Sequence, residues 1–148
     1  MIFIEENRQD LNVLSELHKG TLMGMNSIGY VKEKIGDKKF KTELASEYNQ
    51  YDDILGRIVD SYNDLGKVPE NGKVKDKMQT WMGIQLNTMM NQSNSKISEM
   101  LIQGSTMGII QGVKLKNHNT NLNPNINNIL DDFITMQENT IAKLKNYL

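Results

Sequence analysis

Apolar residues recur at alternating steps of three and four along four separate stretches of this 148-residue chain. This spacing places the apolar side chains on one face of an α-helix, whereas a half-buried β-strand needs strict alternation of apolar and polar residues. No stretch shows that alternation. The pattern therefore predicts an all-α protein in which four amphipathic helices pack as an antiparallel four-helix bundle. A chain of this length buries such a core without disulfides, and it contains no Cys.

The boundaries of the predicted helices come from these stripes and from the Gly and Pro residues between them. The four segments run over about 10–35, 38–65, 73–116 and 124–148. The third is predicted to break near 91–95, so that its first part forms an extra crossover helix that caps or flanks the bundle.

A single domain over residues 1–148 follows from this organisation. Its non-helical parts are an N-terminal tail and two loops: 1–9, 66–73 and 117–124. Gly66 stands where a glycine C-cap belongs. Asn123 is a good N-cap, and Pro124 suits the first position of the last helix.

The balance of charge excludes several classes of partner. With 17 basic and 18 acidic residues the net charge is −1, which gives no general attraction to nucleic acid or to an anionic membrane. The first four residues are apolar but Glu5 and Glu6 follow, unlike a secretory signal. No stretch approaches the roughly 18 apolar residues of a membrane span. We expect a cytoplasmic protein without a nucleic-acid partner or a membrane span.

Glu47 is the one carboxylate within the predicted apolar stripes. A buried carboxylate is costly unless it is paired or bound to a metal. One interpretation makes Glu47 a metal ligand or a proton carrier. The other makes it a boundary carboxylate that is hydrogen-bonded to Gln or Thr or reaches solvent.

A carboxylate-bridged di-iron centre is the familiar chemistry of such bundles, and it needs Glu-x-x-His on two helices. His18 and His118 are the only histidines, and neither has a Glu three residues before it. The complete di-iron motif is therefore absent. The alternative that we retain is a metal-binding redox or storage protein that uses Glu47 with Glu16 or His18. Otherwise we expect no cofactor and no catalysis.

Glycines spaced by four occur on two of the predicted helices: Gly20 and Gly24 on the first, and Gly104, Gly108 and Gly112 on the third. Each internal helical Gly costs about 1 kcal/mol relative to Ala. The spacing puts them on one face, where two backbones can approach closely. We predict a close helix crossing within the bundle or at a dimer contact. The alternative is room for a small hydrophobic ligand between helices one and three.

Methionine is abundant, with ten residues, and part of it clusters with the single Trp. The predicted interaction surface consists of Met78, Trp81, Met82, Met89 and Met90. Methionine adapts to irregular contacts, and an exposed apolar surface of this kind binds a partner or a second copy. The leading functional hypothesis is a non-catalytic bundle that acts by self-association or by binding another protein.

Two stretches of the sequence resemble a known group. Residues 81–89 (Trp-Met-Gly-Ile-Gln-Leu-Asn-Thr-Met) and 99–108 (Glu-Met-Leu-Ile-Gln-Gly-Ser-Thr-Met-Gly) are similar to segments of uncharacterised ferritin-like bundle proteins of the DUF2383 type, in a clostridial subgroup. The resemblance covers roughly residues 10–148. It implies an up-down-up-down bundle with a helical crossover, a degenerate di-iron site and no established activity.

Overall fold

The computed structural model describes residues 2–70, Gln85 and 92–148, and for residues 2–7 it describes the backbone alone. The described residues contain no strand, and their four α-helices are α1 (Ile2–Val31), α2 (Lys38–Asp64), α3 (Asn94–His118) and α4 (Pro124–Leu144). Short 3₁₀ turns follow α1 and α4, at Lys32–Lys34 and Lys145–Tyr147. None of these four helices is long and apolar enough to cross a membrane. The predicted all-α, four-helix architecture is confirmed for this part of the chain.

Part of the third predicted segment lies outside the described residues. This applies to the crossover helix expected over 73–90, apart from Gln85, which is helical. It also applies to the whole predicted interaction surface: Met78, Trp81, Met82, Met89 and Met90.

Two helices extend further than the sequence predicts. The tail expected over 1–9 is mostly helical, because α1 begins at Ile2 and no Gly or Pro occurs in the first 19 residues to stop it. Helix α3 also extends past its predicted end at 116 and continues to His118. The side-chain amide of Asn119 donates to the Leu115 carbonyl oxygen at 2.9 Å and so satisfies one of the last helical acceptors.

The predicted caps are confirmed at two helix ends. Gly66 follows α2 with a φ of 68°, in the left-handed region that Gly adopts without strain. At the start of α4, the Asn123 side chain accepts a hydrogen bond from the backbone N–H of Asn125 at 2.9 Å. Pro124 occupies the first turn, where its missing N–H costs nothing.

Contacts between α2 and α4 show that these two helices are antiparallel. Arg57 pairs with Asp132 at 2.8 Å, near the middle of both helices. Further along α2, the hydroxyl of Ser61 accepts a hydrogen bond from the Asn125 amide at 3.1 Å, near the start of α4. Residue numbers therefore rise along α2 as they fall along α4.

Helices α3 and α4 are also antiparallel. The Ser98 hydroxyl near the start of α3 donates to the Leu144 carbonyl oxygen at the end of α4, and Lys116 pairs with Asp131 at the opposite end. Since both α2 and α3 oppose α4, they run parallel to each other. The order is up-down-down-up, which corrects the up-down-up-down order that the resemblance implies. The connection over residues 65–93 is long enough to return along the bundle.

The core lies where the apolar stripes of the helices meet. Almost every stripe residue on α1, α2 and α4 is buried: Leu14, Leu17, Thr21, Ile28 and Val31; Phe40, Leu44, Glu47, Tyr51, Ile54, Ile58 and Ser61; and Ile126, Leu130, Phe133, Gln137, Thr140 and Leu144. The stripe predicted on α3 behaves differently. Ile97 and Leu101 are buried, but Gly104 and Gln111 are exposed. The second half of α3 therefore does not close tightly against α1.

Candidate functional site

A cavity of about 950 Å³ lies between α1 and α3, and α2 and α4 also contribute to its lining. Its lining extends from Ser15 to Ile28 on α1 and from Met100 to Leu115 on α3. At 1.5 Å per helical residue, the cavity is about 20 Å long. More of the lining is apolar than polar. This volume and this character are typical of sites that bind small organic molecules.

All five glycines predicted to permit close helix packing line this cavity. Four of them face a side chain from α2 or α4. The side chains that an added Cβ would meet are Phe133 at Gly20, Tyr51 at Gly24, Gln137 at Gly108 and Ile134 at Gly112. A Cβ added at Gly104 would meet no described atom outside its own helix within 4 Å. Within the described part of the chain, the glycines thus admit side chains from the opposite helices and leave space between α1 and α3.

Buried polar residues from α2, α3 and α4 line the middle and one end of the cavity, and we call five of them the central polar cluster: Glu47, Tyr51, Ser105, Gln137 and Thr140. The Tyr51 hydroxyl lies 2.9 Å from Nε2 of Gln137, which donates to it, and 3.2 Å from Oε1, which can accept from it. Burial raises the pKa of Tyr51 to about 12, and the nearby Glu47 carboxyl contributes to the increase. Tyr51 therefore stays neutral and presents no ionised oxygen to the cavity.

Glu47 is 3% exposed, and among the described residues its Oε1 atom has no hydrogen-bond partner. The expected hydrogen bond to Gln or Thr is not found for this atom among the described residues, and the atom has almost no solvent-accessible surface. Burial raises the pKa of Glu47 to about 8; the Glu43 carboxylate raises it too, while Lys143 opposes both. Glu47 is therefore mostly a neutral carboxylic acid at pH 7.

The residues of the alternative metal site do not form a shared ligand set. Glu16 is partly exposed and pairs with Lys19 at 3.3 Å. His18 is buried, its ring packs edge-on against Tyr62 with centroids 6.5 Å apart, and burial lowers its pKa. Within the described ranges, no three His, Asp or Glu residues are grouped so that they could hold a metal ion. A metal site that uses Glu47 with Glu16 or His18 remains a prediction.

The sequence marks Glu47 of the central polar cluster as unusual, but it does not mark Ser105. The predicted α3 stripe passes through Gly104, one residue away from it. The observed buried face instead passes through Leu101, Ser105 and Gly112. Ser105 follows Leu101 by four residues, a spacing that places both on one face of a helix. That spacing is the signal that would have identified it.

Comparisons of the chain with protein-family models, with curated proteins and with solved structures give no match. The resemblance to ferritin-like bundles of the DUF2383 type therefore remains a prediction. The function is therefore inferred from the residues that line the cavity.

Proposed function

We propose that this protein is a non-catalytic helical bundle that holds a small, mostly apolar organic molecule between α1 and α3. The observation that carries the proposal is the elongated cavity of about 950 Å³, with its largely apolar lining and a few buried polar groups. Sites for small ligands combine these features.

We propose further that the bundle is of the ferritin-like class, with a degenerate di-iron site. Two antiparallel helix pairs joined by one long crossover connection distinguish ferritin-like bundles from bundles with short loops throughout. Here α3 and α4 form one such pair, α1 and α2 the other, and the long connection over 65–93 joins them.

Filling the cavity is expected to abolish binding without unfolding the protein. Gly104→Trp places an indole at a cavity-lining position where no described residue of another helix lies within 4 Å of an added Cβ. Binding of the neutral probe N-phenyl-1-naphthylamine, followed by its fluorescence, is expected to weaken by about tenfold or more, equivalent to about 1.4 kcal/mol. Thermal unfolding of the variant checks that the fold is intact.

The matched control is Gln103→Trp, which adds the same side chain at an exposed neighbouring position that is not among the residues lining the cavity. This variant is expected to bind the probe as the wild type does. Equal probe affinity in the wild type and both Trp variants would contradict a ligand site between α1 and α3.

A second candidate function is association of this chain with a second copy of itself. Met107, Ile110 and Val113 stand at steps of three on α3 and are exposed by 49%, 49% and 41%. Apolar rows that face solvent are characteristic of interaction surfaces. The net charge of −1 gives little repulsion between two copies. This row differs from the Met and Trp surface predicted from the sequence.

Charge on this row is expected to disrupt such an assembly. In the double variant Ile110→Lys/Val113→Lys, two ammonium groups would have to be desolvated at the interface. Light scattering at about 100 μM should then show the 16.9 kDa monomer where the wild type is larger. Gln103→Lys, on the same helix, is the control and should keep the wild-type mass. A wild type that is monomeric at this concentration would refute the association.

A further inference from the structure

Resting on the proposed ligand function, we infer that the molecule held between α1 and α3 is an organic monocation: an amine with an elongated apolar body whose ammonium group pairs with Glu47. The inference combines three observations. These are the shape of the cavity, an unpartnered buried carboxyl oxygen on its lining, and the signs of the charges around it.

The geometry places Glu47 towards one end of the elongated cavity. Gly24 faces Tyr51, and His18 faces Tyr62, so α1 and α2 run antiparallel. Glu47 precedes Tyr51 by one helical turn and therefore lies towards the Ile28 end of the cavity. A headgroup at Glu47 leaves the body of the ligand to extend along the seam between α1 and α3.

Apolar side chains line the path that such a body would follow. Leu17 from α1, Leu101 and Leu115 from α3 and Phe133 from α4 all belong to the cavity lining. Each buried CH₂ group contributes about 0.8 kcal/mol to burial in such surroundings. A chain of methylene groups therefore suits the length of this cavity better than a compact polar molecule does.

The ionisable groups on the lining are predominantly acidic. They are Glu16, His18, Lys19, Glu47 and Glu70. Lys19 is paired with Glu16, and His18 is neutral because burial lowers its pKa. Within the described lining, the carboxyls without a charged partner are therefore Glu47 and Glu70, and Glu47 becomes a carboxylate when an ammonium group pairs with it.

Among the described residues, the one cation that acts on Glu47 is Lys143, and it pairs with Glu43 instead. The pKa of Glu47 responds to two charged groups, Glu43 on α2 and Lys143 on α4. Glu47 in turn helps to raise the pKa of Tyr51 on α2 and of Tyr147 in the C-terminal turn. Lys143 is partly exposed and lies 3.9 Å from Glu43. The lining residues described on α3 carry no charge, and those on α1 with ionisable side chains lie at the opposite end. An ammonium ligand would supply the missing partner through a charge-assisted hydrogen bond.

Binding of the amine is coupled to the release of a proton. The Glu47 O–H bond breaks, its proton goes to solvent, and the carboxylate that remains accepts a hydrogen bond from the ammonium group. Because Glu47 has a pKa of about 8, binding should release about 0.9 proton at pH 7 and about 0.1 at pH 9. A neutral ligand would release none from this group.

The test compares three probes with the same eight-carbon body: n-octylamine, 1-octanol and octanoate. Titration calorimetry at pH 7 in two buffers of different ionisation enthalpy gives both the affinity and the number of protons released. We expect n-octylamine to bind at least tenfold more tightly than 1-octanol, with octanoate weakest. Glu47→Gln should remove the preference for the amine and the proton release together. Glu138→Gln, an exposed carboxylate on α4, should change neither.

The outcomes separate the two proposals. If 1-octanol binds as tightly as n-octylamine in the wild type and no proton is released, the cation inference is overturned while the ligand site stands. Tighter binding of octanoate than of n-octylamine would also overturn the inference. If none of the three probes binds, the proposed ligand function itself fails.

Discussion

Glu47→Gln is expected to stabilise the protein strongly at pH 9 and to leave its stability almost unchanged at pH 4. In the wild type the pKa of Glu47 rises from 4.5 to about 8 on folding. Between these two values the unfolded chain has lost the proton while the folded protein keeps it, so stability falls as pH rises, by up to about 1.4 kcal/mol per pH unit. The accumulated loss is of the order of 4 kcal/mol above pH 8. A glutamine cannot ionise and avoids this loss.

Urea unfolding of wild type and variant at pH 4, 7 and 9 measures the effect. The free-energy difference between the two proteins should widen from pH 4 to pH 9, most of it between pH 5 and pH 8. Glu138→Gln is the control, because its side chain is exposed on α4 and its curve should follow that of the wild type. Parallel pH profiles for wild type and Glu47→Gln would show that Glu47 is solvated in the folded protein.

Gly24→Ala is expected to destabilise the fold, against the usual preference of helices for Ala. A Cβ at this position would overlap the ring of Tyr51, which is buried and bonded to Gln137. Ala gains about 1 kcal/mol in helix propensity over Gly, but overpacking costs about 1–3 kcal/mol and a displaced Tyr51 also loses its hydrogen bond. The net loss should be about 2 kcal/mol in the free energy of unfolding.

Gly29→Ala is the matched control on the same helix. Gly29 is exposed, and among the described residues nothing outside the backbone of its own helical turns lies within 4 Å of the added Cβ. This variant should therefore be more stable than the wild type, by about 0.5–1 kcal/mol. Chemical denaturation of both variants gives the comparison. If Gly24→Ala is stabilised to the same extent as Gly29→Ala, α1 is not held against Tyr51 as the structure shows.

The sequence predicts the helices well because their formation is governed by local chemistry. The heptad stripes identify the buried faces of α1, α2 and α4, and the caps at Gly66 and Asn123 follow from the properties of those residues alone. The stripe on α2 also marks Glu47 as an unusual position, since a carboxylate there interrupts an apolar face. Its partner, or lack of one, depends on residues from other helices and cannot be read from its own stretch.

The direction of α3 shows why the arrangement of the helices is harder to predict than the helices themselves. An amphipathic stripe is the same whichever way its helix runs through the bundle, so periodicity does not distinguish alternating order from the observed one. The direction follows from tertiary contacts such as those of Ser98 with Leu144 and of Lys116 with Asp131. These pairs are recognisable only after α3 and α4 are placed together.

The cavity could not be predicted from the glycines for a related reason. A missing side chain permits a close helix crossing, the entry of a side chain from another helix, or empty space. Gly24 represents the second case and Gly104 the third, although both stand at the same spacing in their stripes. Which case occurs depends on whether a large residue such as Tyr51 lies opposite.

The pairing of the helices also bears on how a molecule could reach the cavity. Helix α1 packs more extensively on α2, and α3 on α4, than α1 packs on α3. The helices of each close pair, α1 with α2 and α3 with α4, are neighbours in the sequence. The cavity lies at the seam between α1 and α3, where one pair meets the other. A small separation of the pairs would open this seam while the hydrogen bonds within every helix stay intact. We therefore expect a molecule to reach the cavity through sliding of packed helices rather than through the unfolding of any of them.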